Sequence, residues 1–225
     1  MFVTRIICAD SLPHIAERPR GRALGLVAVC LLAAAACQPS GGSRVDPPSV
    51  DWEGAAEVAI KNYDKDGDGS LTETELTACP GLLVVMDQYD TTGDKQLSAE
   101  EISARLEEKY SRSAGLTTIQ CRVTLDGRPL SGATVRYVPE AFLESVVKAA
   151  EGVTDQYGLA SVAIPDEQLP DDQRGLGALQ MGVYRVEITH PSQSIPAKYN
   201  AQTTLGYELH PGDNREPPKF QLRSR

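Results

Sequence analysis

Apolar and polar residues change their spacing along this chain, and the changes divide it. Ala23 to Ala36 is an unbroken, uncharged apolar run, with Arg18, Arg20 and Arg22 before it and Cys37 and the polar stretch QPSGGS after it. Residues 38–50 have no periodicity and are rich in Pro, Gly and Ser, the composition of a flexible spacer. Trp52, Ala56, Ile60 and Tyr63 then recur at helical spacing, as do Leu82, Val85, Met86 and Tyr89, and later Ile102 and Leu106. The pattern predicts one helix before residue 64, one beginning at Leu76 and closed by Pro80-Gly81, and helices on both sides of residues 90–101.

From Thr117 the period falls to two. Thr117, Ile119, Cys121, Val123 and Leu125 alternate with Thr118, Gln120, Arg122 and Thr124, and Asp126-Gly127 makes a turn. Ala133, Val135 and Tyr137 follow, then Ala160, Val162 and Ile164, then Tyr184, Val186 and Ile188, then Thr203 to Leu209, and finally Phe220 and Leu222. Short strands between Gly, Pro and Asp turns predict an antiparallel β-sandwich. Pro139 to Gly152, with Phe142, Val146 and Ala150 at helical spacing, predicts a short helix or ordered crossover.

Charge sharpens the division. The 225 residues carry a net charge of -9, which argues against a nucleic-acid partner held on a basic surface. Residues 51–110 hold five basic and fifteen acidic side chains, whereas residues 111–225 hold twelve and thirteen. An acidic third and a balanced remainder meet near residues 110–115. The expected organisation is a leader over 1–36, a linker over 37–50, an acidic helical domain over 51–111 and a β-domain over 115–225. Charge alone also expects the acidic domain to depend on a cation and the β-domain to stand without one.

Within the acidic third, residues 64–75 read DKDGDGSLTETE. Asp64, Asp66 and Asp68 fall at positions 1, 3 and 5, Gly69 at 6, Ser70 at 7, Leu71 at 8, Thr72 at 9 and Glu75 at 12. A hard cation takes about six to eight oxygens, so carboxylates must converge from a tight turn. Glycine at position 6 supplies a left-handed backbone without steric cost. Residues 90–101, DTTGDKQLSAEE, repeat the pattern with Asp90, Thr92, Asp94, Gln96, Leu97, Ser98 and Glu101. Here Thr92 replaces a carboxylate at position 3, and Lys95 replaces glycine at position 6. Both changes weaken cation binding, and Leu97 is placed to pair with Leu71.

Both segments resemble the calcium loop of the EF-hand family. The resemblance implies calcium held by Asp64, Asp66, Asp68, the Ser70 carbonyl, Thr72 through water, and Glu75, with a weaker second site at Asp90, Thr92, Asp94, Gln96, Ser98 and Glu101. Fourteen residues separate Glu75 from Asp90. A pair this compact, in a chain with three Met, favours a structural site over a sensor that opens an apolar groove.

The leader has basic residues, an apolar run, small residues and then Cys37, with Ala34 where Leu is usual three places earlier. It resembles a bacterial lipoprotein signal, which implies cleavage before Cys37 and lipidation of its thiol. Its fourteen apolar residues fall short of the roughly 20 that span a bilayer. The implied location is exported and membrane-anchored, on the periplasmic or cell-surface side. In the balanced part, LDGRPLSGATVRYVPE, GVTDQYGLASVAIP, GVYRVEITHP and IPAKYNAQTTLGYELHPG resemble, in that order, the carboxypeptidase regulatory-like domain. That family implies a transthyretin-like, immunoglobulin-like β-sandwich of accessory and adhesive use. The expected fold class is therefore a two-domain α plus β chain, a compact EF-hand pair followed by that sandwich.

No catalytic constellation emerges. His190 and His210 read as turn histidines, Ser192 and Ser194 as loop serines without a nucleophile elbow, and Cys121 as a buried thiol. A Cys79–Cys121 disulfide is disfavoured by the core-facing place of Cys121. The expectation is a non-catalytic, calcium-binding structural or adhesion module. The alternative is an accessory subunit whose β-sandwich binds a carbohydrate or protein under calcium control.

Overall fold

A computed structural model describes residues 51–111, 115–211 and 216–225. The leader, Cys37 and the spacer lie outside the described residues. The first part is helical. Helix α1 (Trp52–Tyr63) is capped by the Asp51 carboxylate, which accepts from the Gly54 N–H at 3.0 Å. Strand β1 (Ser70–Thr72) leads into the one-turn helix α2 (Glu73–Leu76), and two further single turns follow, α3 (Pro80–Leu83) and α4 (Met86–Tyr89). Strand β2 (Gln96–Ser98) then leads into α5 (Ala99–Tyr110). Helix α1 turns Ala55, Ala56, Ala59 and Tyr63 inward, and Trp52 sets its ring 6.1 Å from that of Tyr110 on α5.

Two boundaries differ from the sequence expectation. Leu76 ends a helix rather than beginning one, because Thr72 and Glu75 form a capping box that starts the turn at Glu73. Pro80 opens α3 rather than closing its predecessor. At the first position of a helix the missing N–H costs nothing and the fixed φ is already helical.

The second part is sheet. Strands β3 (Ile119–Leu125), β4 (Arg128–Pro129), β7 (Leu159–Val162) and β10 (Lys219–Leu222) form one sheet, with β4 and β7 both pairing with β3. Strands β5 (Thr134–Pro139), β6 (Ala150–Val153), β8 (Gly182–Thr189) and β9 (Gly206–Leu209) form another, in the order β6-β5-β8-β9. The pairing is antiparallel except that β10 runs parallel to β3, so the expectation of purely antiparallel sheets is corrected to mixed. Residues 141–147 make successive turns and Ala150 enters β6, in place of the predicted helix. Tyr137 of β5 places its ring 6.2 Å from Phe220 of β10, so the two sheets share a core.

Strand burial shows where the helices meet the sheets. Strand β3 alternates buried and exposed from Ile119 to Val123, as a half-covered strand should. In contrast, Tyr137 to Glu140 are all buried, as are Gly182 to Tyr184. Helix α3 lies against this end of the sheet. A Cβ at Gly81 would come 2.7 Å from Val183, and one at Gly206 only 1.9 Å from the Pro80 carbonyl oxygen. Strand and helix backbones touch there, which glycine alone permits. The described residues fall within one compact unit.

Candidate metal centre

Residues 64–69 leave α1, fold into a turn and return through β1 to α2. The turn is held by the side chains that could hold an ion. Asp64 accepts from the Gly67 N–H at 2.6 Å and the Gly69 N–H at 2.9 Å, Asp66 from Asp68 at 3.2 Å, and Asp68 from Ser70 at 2.8 Å. These local bonds satisfy the turn's N–H groups and swing the three carboxylates to one side. Their oxygens lie within 4.8 Å of one another. Two oxygens each about 2.4 Å from a calcium ion can be no further apart than about 4.8 Å, so the donor set fits a hard cation. Among the described residues this is the one group of three acidic, His or Cys side chains so placed. Asp64, Asp66 and Asp68 could therefore hold a metal ion.

Gly69 has φ +88°, the left-handed backbone expected at position 6, and Gly67 has φ +78°. Glu75 is drawn across the turn. One of its oxygens accepts from the Lys65 N–H at 2.7 Å, and the other from the Thr72 N–H at 2.9 Å and hydroxyl at 2.8 Å. Those bonds, from Lys65 first and then Thr72, hold its carboxyl down to about 2. Thr72 thus caps α2 and faces Glu75, and Ser70 lies in β1.

Residues 90–101 copy this frame. Asp90 accepts from Gly93 at 2.6 Å and from Lys95 at 2.9 Å, and Asp94 accepts from Gln96 at 2.9 Å. Glu101 reaches the Thr91 N–H at 2.9 Å, the Thr92 N–H at 3.1 Å and the Ser98 N–H at 3.1 Å. Burial pushes its pKa up, but the bonds from Ser98, Thr92 and Thr91 outweigh that and bring it to about 2. Lys95 occupies φ +65°, a conformation that costs a non-glycine residue about 1–2 kcal/mol. The Thr92 hydroxyl donates to Asp90 at 3.3 Å, where the first loop has a carboxylate. Strands β1 and β2 join the loops, with Leu71 opposite Leu97, both fully buried.

Two buried carboxylates escaped the sequence reading. Glu140, just past β5, accepts from the Gly81 N–H at 2.7 Å and the Tyr63 hydroxyl at 3.5 Å, with an Arg185 guanidinium nitrogen at 3.9 Å. Burial raises its pKa, against the bond from Gly81 and the charge of Arg185. Glu208 of β9 accepts at one oxygen from the Tyr89 hydroxyl at 2.7 Å and the Tyr110 hydroxyl at 2.9 Å. Burial, then the Glu208 charge, pushes the Tyr89 phenol well up, so it remains a donor. The available signal was a tyrosine, Tyr63 or Tyr89, immediately before each acidic loop.

The other candidates are spent on structure. His190 Nδ1 accepts from the N–H groups of Ser192 at 3.1 Å and Gln193 at 3.0 Å, leaving Nε2 to donate to the Ser131 carbonyl at 2.8 Å. His210 Nδ1 lies 3.1 Å from the Pro211 carbonyl oxygen. Cys79 and Cys121 are buried free thiols, and burial pushes Cys121 up to about 11. No family model matches the chain, no curated protein matches it, and no solved structure matches it.

Proposed function

We propose that this chain is a calcium-binding, non-catalytic module, exported and anchored to a membrane by a lipid on Cys37. Residues 51–111 form an EF-hand pair, and residues 115–225 form a β-sandwich of the carboxypeptidase regulatory-like kind. The observation that carries the reading is the convergence of Asp64, Asp66 and Asp68 within 4.8 Å on a turn whose sixth residue is left-handed. Calcium would be held by these three carboxylates, the Ser70 carbonyl, Thr72 through water, and Glu75. It would supply charge neutralisation and cross-linking of the loop. The second site would use Asp90, Thr92, Asp94, Gln96, Ser98 and Glu101, with less charge. A structural or adhesive role is favoured over a carbohydrate-binding accessory role because Tyr157 is the one strongly exposed aromatic among the described residues. A sugar ring would find one aromatic face to stack on there.

Equilibrium dialysis of the whole chain against calcium tests the metal assignment. Uptake of one calcium tightly and a second more weakly is expected, and no uptake at millimolar calcium would refute it. Fractionation tests the anchor: Cys37→Ser should move the protein from the membrane to the soluble fraction, and unchanged fractionation would refute lipidation.

A further inference from the structure

The sheets reach into the helical part at two points, and each meets the tyrosine that directly precedes one acidic loop. Tyr89 is the last residue of α4 and directly precedes Asp90, the first residue of the second loop. Tyr110 is the last residue of α5, the helix that leaves that loop. Both hydroxyls converge on the same oxygen of Glu208, at 2.7 and 2.9 Å. Two donors meeting at one atom fix the separation of the two helix ends. The other Glu208 oxygen is buried with no hydrogen-bond partner among the described residues, so these hydroxyls are the hydrogen bonds that offset the burial of this carboxylate.

The first loop has the matching arrangement. Tyr63 ends α1 and directly precedes Asp64, and Gly81 lies in α3, which follows α2 after a three-residue turn. Glu140 accepts from both, with Gly81 the closer at 2.7 Å against 3.5 Å for Tyr63. Glu140 and Glu208 are fully or almost fully buried, and both come from the sheet to which β8 belongs.

We infer that Glu208 is a positioning residue for the second acidic loop, and Glu140 its counterpart for the first: Glu208 holds the helix that enters and the helix that leaves the second loop, and Glu140 holds the helix that enters the first loop and the turn of helix beyond the one that leaves it, so that sheet docking and calcium binding stabilise one another. The inference rests on the calcium reading. A loop that collects oxygens from both its ends binds an ion well only when the flanking helices hold those ends together. Glu101 already reaches Thr91 and Thr92 across the second loop while Glu208 holds the helices, so the clamped arrangement is the closed one. Moving the helices apart would strand a buried carboxylate without its donors, which is costly. By linkage, whatever the sheet contact adds to calcium affinity, calcium adds to the sheet contact. The second loop, weakened at Thr92 and Lys95, gains most from being held in advance.

The test is a calorimetric titration of the whole chain with calcium chloride, in wild type, Tyr89→Phe, Tyr110→Phe, Glu208→Gln and Glu208→Leu. The phenylalanine variants each delete one hydroxyl and keep the ring. They should weaken the second site on the order of tenfold and leave the first within about twofold. Glu208→Gln keeps a carbonyl oxygen to accept both hydroxyls and should stay near wild type, whereas Glu208→Leu should lose the second site. The rise in melting temperature caused by calcium should shrink in Tyr89→Phe. A merely structural bond would lower the melting temperature equally with calcium and with chelator. Unchanged or tighter second-site binding in both phenylalanine variants overturns the inference and leaves the calcium reading standing. A wild type that binds one calcium overturns the role of Glu208, and one that binds none overturns both.

Discussion

In the first acidic loop and the second, residues at the same positions make most of the same backbone hydrogen bonds, yet the side chains offered to a cation differ. Asp64 and Asp90 each tie two N–H groups of their own turn, and Glu75 and Glu101 each close a capping box. The frame is therefore built by the first and last residues, together with the Leu71–Leu97 pairing. Position 3 and position 6 are left to tune the site. The first loop has Asp66 and Gly69 there, and the second has Thr92 and Lys95. A loop can keep its shape while losing charge and taking on backbone strain. On the calcium reading, shape alone would not set affinity.

The largest expected effect comes from removing calcium altogether. Each ion that binds only the folded chain contributes about 2.7 kcal/mol when free calcium is a hundredfold above its dissociation constant. Chelation should lower the melting temperature of helices and sheets together, in one transition followed by both far- and near-ultraviolet dichroism. Two transitions, with the sheets melting unchanged, would show that the loops and the sheets are independent.

Glu75→Gln should come next. It removes one of four carboxylates from the first site, and that site's affinity should fall by roughly a hundredfold while the second changes little. Competition with a calcium indicator dye reads this directly. An equal fall at both sites would mean that the loops act as one. Gly206→Ala should follow, since its Cβ would lie 1.9 Å from the Pro80 carbonyl oxygen. Displacing α3 should cost about 1–3 kcal/mol in urea unfolding. It should also weaken both loops, because α3 belongs to the Glu140 contact and β9 carries Glu208.

The acidic loops were legible because their chemistry is local. A twelve-residue spacing fixes which carboxylates converge, and the positive φ of Gly69 is implied by the residue itself. The alternation over β3, and over Thr134–Tyr137 and Tyr184–Thr189 in β5 and β8, was legible for the same reason, as each stretch's own pattern reports its half-covered face. What could not be read were the contacts between distant segments. Glu140 and Glu208 are ordinary acidic residues in sequence and become buried acceptors only when α3, α4 and α5 arrive from some 60 to 120 positions away. Charge arithmetic alone made the acidic third a separate, cation-dependent body. These two buried carboxylates tie it to the sheets, which is why chelation is expected to act on the whole. Pro80 was misread because its effect depends on which side of it the helix lies.

The most direct measurement is a calorimetric calcium titration of the wild-type chain beside the double variant Thr92→Asp, Lys95→Gly. If the loops share one frame and differ through positions 3 and 6, wild type shows two unequal sites. The double variant then tightens the weaker site by about tenfold, through the added carboxylate at position 3 and a position 6 that no longer holds a side chain in the left-handed region, and brings the two sites close to equal. A second site that stays as weak as before would contradict the account, as would a wild-type chain that takes up no calcium.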